Sequence, residues 1–313
     1  MSQFDRGRLA GFPNLTRVVN CLLEVWPEHE VYCAARFRDD APDFARRCDD
    51  LAALVLKLAD GRLETYCRDY RWMCEAFLAE EFYFRRHGKY RLSSFEQAYA
   101  EIYNNDAYMS RYVNGILISQ LIWTPHARAL DYFRTTFLPG NKPGSRYLEV
   151  GPGHGLFLYF ATQEPAIAAL EAWDVSESSI RATRRALGLL GVTRPIAFER
   201  QDILNATPPE AAFDSAVISE VLEHLDFPER ALATLRRALK PGGRIFINAP
   251  VNSPAPDHIY LWRTTDEFIA FVGAQGFEIE AAEFMPVTGA SLERAKRQEL
   301  SISCVVVARR PEA

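Results

Sequence analysis

The feature that most constrains this chain begins at residue 144. From there, short apolar runs alternate with segments whose apolar residues recur every three or four positions, and the first run ends in a glycine-rich loop. Arg146 to Val150 reads as a strand. Gly151-Pro-Gly153-His-Gly155 follows, and Leu156 to Thr162 has helical spacing. Ala169–Trp173, Pro195–Glu199, Phe213–Ser219 and Arg244–Ala249 read as further strands. Helices are expected over Ser178–Leu190, Pro228–Leu239 and Thr265–Gln275, and Lys240-Pro-Gly-Gly243 reads as a turn. Phe277–Phe284 and Ser301–Ala308 are two closing strands with no long helix between them, which suggests an antiparallel hairpin at one edge. Repeated strand–helix units fold as a parallel sheet with helices on both faces, because each crossover lays its helix over the sheet.

Residues 1–138 read differently. They are rich in Leu, Ala, Tyr, Phe, Arg and Glu and contain few glycines; their apolar spacing is mostly three and four, as in Leu51, Leu54, Val55 and Leu58. About five or six helices are expected. Asn105 or Asp106 is a candidate N-cap for a helix through Tyr108, Tyr112, Ile116, Ser119 and Trp123. Thr124-Pro125 then marks a break before a second helix from His126 to Phe137. The turn-rich Leu138–Gly144 sets the expected boundary between a helical domain, 1–138, and an α/β domain, 139–313.

Composition supports two globular domains: 313 residues, 48% apolar and 25% charged. The net charge of −5 supplies no bulk basic field, which argues against a nucleic-acid partner. No run of about 18 uncharged apolar residues offers a membrane span, and the first residues lack the apolar segment of a signal peptide, so the cytoplasm is expected. The six cysteines at 21, 33, 48, 67, 74 and 304 form no Cys-x-x-Cys pair and read as reduced thiols. No His/Cys/Asp cluster shows ligand spacing along the chain, so no metal is expected.

Between a strand and a helix, the loop glycines have physical tasks. One permits the tight turn, another lets a ligand approach bare main chain, and the last lets the helix start close to the sheet. Their G-x-G-x-G spacing is tighter than the G-x-G-x-x-G of dinucleotide sites. Asp174 closes the second strand, where a carboxylate can accept hydrogen bonds from a vicinal diol. Asp202 follows the third strand, where an acid can accept from an exocyclic adenine amine. Acids at successive strand ends want donors, since an unpaired buried charge is costly.

In combination, four motifs resemble class I S-adenosylmethionine-dependent methyltransferases. They are Leu148-Glu-Val-Gly-Pro-Gly-His-Gly155, Trp173-Asp-Val-Ser176, Phe213-Asp-Ser-Ala-Val-Ile-Ser-Glu-Val-Leu-Glu-His-Leu225 and Leu239-Lys-Pro-Gly-Gly-Arg244. The resemblance covers residues 144–310. It implies a Rossmann-like, seven-stranded sheet with an antiparallel last strand, and S-adenosylmethionine as cofactor. It places Glu149, Gly151, Gly153 and Gly155 around the methionine part, and Asp174, with Val175 beside it, at the ribose. Asp202 with the Ile203 backbone falls at adenine, and Ser219 and Glu220 beside the reactive centre.

The methyl acceptor is less legible. His224 and His258 follow the fourth and fifth strands, on the edge where open parallel sheets bind ligands, and are candidate bases. Tyr108 and Tyr112 share a helix face, and Arg111 can hold an acidic acceptor by a bidentate contact. Arg263 is a second candidate anion contact. Gly115, inside a helix, suggests a close approach. His126 is expected on the helix surface or at the interdomain face. The aromatic helical half suits a bulky small-molecule or peptide acceptor and is a candidate dimerisation surface. These residues favour an O-methyl product, as in specialised metabolism. N- and C-methylation, a nucleic-acid methyltransferase, a non-catalytic binding subunit and a nicotinamide-dependent oxidoreductase are the competing readings.

Overall fold

The computed structural model describes residues 4–312. The first half supplies α1 (Pro13–Val25), α2 (Glu30–Arg36), α3 (Pro42–Ala59), α4 (Leu63–His87), α5 (Phe95–Ala98), α6 (Asp106–Ile122) and α7 (Thr124–Tyr132). Proline in the first turn starts α1, α3 and α7, where its missing N–H costs nothing. Asn105 is the cap of α6, its side-chain oxygen accepting from the Tyr108 N–H at 3.0 Å. Every residue from Leu117 to Ile122 is buried, so α6 runs through the interior with no solvent face over its last turns. Gly115 permits this: a Cβ there would stand 2.8 Å from Met73 Sδ and 3.3 Å from the Asp69 carbonyl of α4.

The second half alternates strand and helix: β1 (Ser145–Val150), α8 (Leu156–Gln163), β2 (Ile167–Asp174), α9 (Glu177–Leu189), β3 (Ile196–Arg200) and β4 (Phe213–Ser219), then α10 (Pro228–Ala238), β5 (Leu239–Val251), α11 (Thr265–Ala274), β6 (Glu278–Pro286), α12 (Leu292–Arg297) and β7 (Ile302–Arg309). The strands lie in the order β3-β2-β1-β4-β5-β7-β6. The first five pair in parallel, and β7 runs antiparallel to both β5 and β6. The closing hairpin therefore sits at one edge, with β6 outermost. Lys240–Gly243 is not a separate turn but a looped-out part of β5: Leu239 pairs with Phe213, and pairing resumes at Arg244 with Ser215. Gly242 carries the positive φ of 73°, and its N–H is held by the Arg310 carbonyl.

Strand periodicity divides the interior in two. Tyr147, Val217, Phe246, Val305 and Val307 face the helical half, whereas Leu148, Ile218, Ile245, Ile247 and Val306 face α10 and α11 on the other side. Phe133, Phe137 and Phe157 surround Phe246 at centroid distances of 5.4, 5.6 and 5.9 Å. Burial of one such ring is worth about 2 kcal/mol, and truncating it to alanine costs about 3–5 kcal/mol. One continuous apolar cluster thus runs from α1 into the sheet, and α7 lies on β6 and β7. The crossovers diverge at β1 and β4, so a crevice opens at the carboxyl ends of these two strands.

Candidate active site

β1 delivers Glu149 into the crevice floor at 3% exposure. The Tyr147 hydroxyl donates to its Oε2 at 2.7 Å, and burial pushes the carboxyl up to about 8. Gly151, at φ 68°, is the contact between the loops after β1 and β4: a Cβ there would lie 2.6 Å from Val221 Cγ2. Gly153, at φ 49°, is different, since its Cβ would meet nothing nearer than 3.9 Å. It leaves a stretch of bare main chain. Thr183 of α9 fixes this stretch by donating to the Gly153 carbonyl at 2.7 Å.

Asp174 and Asp202 leave adjacent strands. Asp174 accepts from the Ser176 N–H at 2.8 Å and the Ser179 hydroxyl at 2.7 Å, and burial raises its carboxyl. Each oxygen retains acceptor capacity for a further donor. Asp202 accepts from the Leu204 N–H at 3.0 Å and from Asn205 Nδ2 at 2.6 Å, next to the buried Ile203. Val175 is exposed.

Past β4 the chain makes a sharp step at Glu220 (φ 52°) into one helical turn, Leu222–His224. Asn248 of β5 holds the step: its Nδ2 donates to Ser219 Oγ at 3.1 Å and Glu220 Oε1 at 2.8 Å, and its Oδ1 accepts from Ser303 at 2.7 Å. Burial pushes Glu220 up to about 7. The Glu223 carbonyl accepts from the Ile259 and Tyr260 N–H groups, which ties the loop after β5 to the turn after β4. His224 and His258 thereby meet, with ring centroids 4.9 Å apart. His258 Nδ1 lies 2.6 Å from the Ser253 carbonyl. A carbonyl only accepts, so the proton sits on Nδ1 and the Nε2 lone pair points inward. Burial lowers this imidazole to about 4. His224 Nδ1 lies 3.1 Å from both the Asp257 carbonyl and the Tyr103 hydroxyl.

The helical half completes this cluster. Tyr103 and Tyr112 donate to the two oxygens of the buried Asp257 at 3.1 and 3.0 Å. Tyr108 stacks on Tyr112 at 6.2 Å, the pair expected from their spacing. Arg111 is not brought to the cluster: its Nε bonds Asp69 of α4 at 3.0 Å and its guanidinium lies 4.3 Å over Trp72. Arg263 is exposed and donates to the Gly88 carbonyl at the end of α4, opposite the negative pole of that helix. His126 sits at the interdomain face, 2.8 Å from Ser119 Oγ, and burial lowers it to about 3.

Three members of the cluster escaped the sequence reading: Tyr103, Glu223 and Asp257. Glu223 and Asp257 each precede a candidate histidine, and Glu220 with Glu223 bracket one helical turn, which is a usable signal. Tyr103 lies in an irregular turn of α-helix-like chain, where no periodicity marks a face.

Strand order and the glycine loop at the carboxyl end of β1 give the sheet of a class I methyltransferase. A methyltransferase-domain family matches residues 123–284, just over half of the 313-residue chain. The chain belongs to that methyltransferase-domain family. It is 31% identical over 109 residues to the ubiquinone/menaquinone biosynthesis C-methyltransferase UbiE of Cupriavidus taiwanensis, covering 34% of this chain and 44% of that protein. It is 33% identical over 125 residues to the trans-aconitate 2-methyltransferase of Sinorhizobium fredii, covering 38% and 43%. The chain thus spans less than half the length of these curated relatives. Among solved structures it resembles a chain of the complex between the Haloferax volcanii Trm112 methyltransferase activator and a methyltransferase. There the TM-score is 0.52 at 15% identity, covering 66% of this chain and 96% of that one. The residues fit the cofactor: bare main chain at Gly153 beside the buried Glu149, and an acid with spare acceptor capacity at the end of β2.

Proposed function

We propose that this enzyme methylates an oxygen, hydroxyl or carboxylate, of a small-molecule or peptide acceptor held between the carboxyl ends of β4 and β5 and the helical half. The observation that carries this reading is the reach of Tyr103 and Tyr112 across to Asp257, beside His224 and His258. That contact makes the helical half one wall of the crevice, so its aromatic side chains shape what enters. Glu149 and the glycine loop hold the cofactor's amino acid part, Asp174 its ribose, and Asp202 with Ile203 its adenine. When bound, S-adenosylmethionine supplies a methyl group on a positively charged sulfur with a neutral leaving group. The chain's own task is then to orient the acceptor in line, exclude water and take a proton where the acceptor is a hydroxyl.

The cluster of Glu223, His224 and His258 is the proton-handling centre, with inward-facing Nε2 lone pairs beside a carboxylate. The net charge of −5 supports a small acceptor over a nucleic acid, and a bulky, partly apolar acceptor of specialised metabolism in the cytoplasm fits the aromatic wall. No helix among the described residues is long and apolar enough to cross a membrane.

The test is methyl transfer from deuterated S-adenosylmethionine to a panel of phenols, hydroxy acids and carboxylates, read by mass and by the site of the label. Label on oxygen is expected, with turnover falling about 100-fold or more in His258→Ala while affinity for S-adenosylhomocysteine stays near wild type. Label on carbon or nitrogen overturns the oxygen assignment, and full turnover in His258→Ala dismisses the cluster.

A further inference from the structure

Glu223 is the most anomalous side chain among the described residues. It is fully buried, and neither carboxylate oxygen has a hydrogen-bond partner. The carboxyl of the half-buried Glu220 lies against it. Among the described residues, no lysine or arginine forms an ion pair with either acid; the charged-group contacts of Glu223 are His224 Nε2 at 3.8 Å and His258 Nε2 at 4.0 Å. An unpaired buried carboxylate costs several kcal/mol, and a protonated one still needs an acceptor for its O–H. A protonated Glu223 has only the Glu220 carboxyl against it, and the ionised form finds no donor, because both imidazole nitrogens stand beyond hydrogen-bond reach.

The separations fit a different occupant. Ligand atoms about 2.1 Å from one ion stand roughly 3–4.2 Å from each other, depending on the angle between them. One oxygen of Glu223 and one nitrogen each of His224 and His258 all lie within 4.8 Å of one another, so a contraction of about half an ångström seats all three. The outer ring is that of a ligand set. His258 Nδ1 is fixed by the Ser253 carbonyl and His224 Nδ1 by the Asp257 carbonyl and Tyr103, which turns both Nε2 lone pairs inward. Asp257 is in turn held by Tyr103 and Tyr112.

We propose that Glu223, His224 and His258 bind one divalent first-row transition cation, of the Zn²⁺ or Mn²⁺ class, with Glu220 adding the second negative charge. Two imidazoles and a carboxylate match that class better than the all-oxygen sets preferred by Ca²⁺ and Mg²⁺. Three protein ligands leave a coordination position open toward the crevice. This deepens the oxygen-methylation reading and rests on it, but with the cation bound the Nε2 lone pairs are ligands, so the ion rather than an imidazole favours loss of the acceptor's proton. The cation sets a positive charge beside the acceptor oxygen, favouring its ionised form. The hydroxyl proton leaves to solvent, the oxygen–methyl bond forms as the carbon–sulfur bond breaks, and the electron pair departs on a neutral thioether sulfur.

The experiment uses tag-free full-length protein, stripped with a chelator, desalted and offered Zn²⁺, Mn²⁺, Mg²⁺ or Ca²⁺ separately. Bound metal is read by mass spectrometry and stability by the thermal midpoint. About one Zn²⁺ or Mn²⁺ per chain is expected, with the midpoint raised by about 4 °C at a hundredfold excess over Kd. Glu223→Gln, which keeps the shape and removes the buried charge, folds at least as stably as the stripped wild type and shows neither bound metal nor the rise; His258→Asn loses both as well. Wild-type protein that retains no ion and shows no rise overturns the proposal. So does binding of Mg²⁺ or Ca²⁺ alone, or an undiminished rise in Glu223→Gln. Two further readouts separate this from the parent reading. Oxygen methylation that survives complete chelation removes the cation but keeps the reaction. A bound cation together with label on carbon or nitrogen keeps the site and removes the oxygen acceptor.

Discussion

Asp174 offers a test in which a structural and a ligand-binding role separate cleanly. Its carboxylate receives the Ser176 N–H and the Ser179 hydroxyl at the start of α9, and it stands where ribose hydroxyls would donate. Asp174→Ala removes two local bonds worth about 1–1.5 kcal/mol each, partly offset because the buried charge is also removed, as the raised carboxyl shows. A stability loss of about 1–2 kcal/mol is expected in urea unfolding. Loss of one charge-assisted bond from the ribose, about 1.5–3 kcal/mol, weakens S-adenosylhomocysteine by roughly 10- to 150-fold in calorimetry. Ser179→Ala is the control: it deletes one of the same local bonds, lowers stability by about 1 kcal/mol and leaves affinity unchanged. If Asp174→Ala loses stability but binds with wild-type affinity, the acid is a helix-start device only, and the ribose assignment is refuted.

Two glycines in one loop are expected to respond in opposite proportions. Gly151→Ala adds the strain of a left-handed residue, about 1–2 kcal/mol, to a clash with Val221, and loses about 2–4 kcal/mol in urea unfolding. Gly153→Ala has the strain without the clash, losing about 1–2 kcal/mol, yet it fills bare main chain and weakens cofactor binding the more; equal effects on binding would show that the cofactor does not approach that stretch. Stability also depends on pH in a defined way. Glu149 is raised to about 8, so between about 4.5 and 8 the unfolded chain ionises while the folded one keeps its proton, and stability falls with rising pH by about 1.4 kcal/mol per unit at most. His126 and His154 are lowered to about 3 and 4, so they withdraw stability as pH falls below about 6.5. The unfolding midpoint is therefore expected to decline from pH 6.5 to 8, with the decline blunted in Glu149→Gln; an unchanged slope in that variant contradicts the buried-acid assignment.

What the sequence made legible follows from which interactions are local. A strand, a glycine turn and a helix start within a dozen residues, so the cofactor loop and its acids are written in short-range pattern. The β5 loop-out at Lys240–Gly243 reads as a turn because its second half is explained only by Arg310, across the sheet on the segment after β7. Arg111 looked like an anion anchor because a charged residue on an aromatic helix face says nothing of Asp69, 42 positions earlier. The cluster at the acceptor side is assembled from three separate segments: Tyr103 and Tyr112, Glu223 and His224, and Asp257 and His258. No spacing rule joins them, although each histidine was visible alone. The boundary at 138 follows turn chemistry, whereas the apolar interior runs through it, with Phe133 and Phe137 resting on Phe246.

The most direct check is a crystal structure with S-adenosylhomocysteine bound. The account places the homocysteine over Gly151–Gly155 beside Glu149, the ribose at Asp174 and the sulfur facing Glu223, His224 and His258. A ligand lodged elsewhere, or one whose sulfur points away from those three side chains, contradicts it.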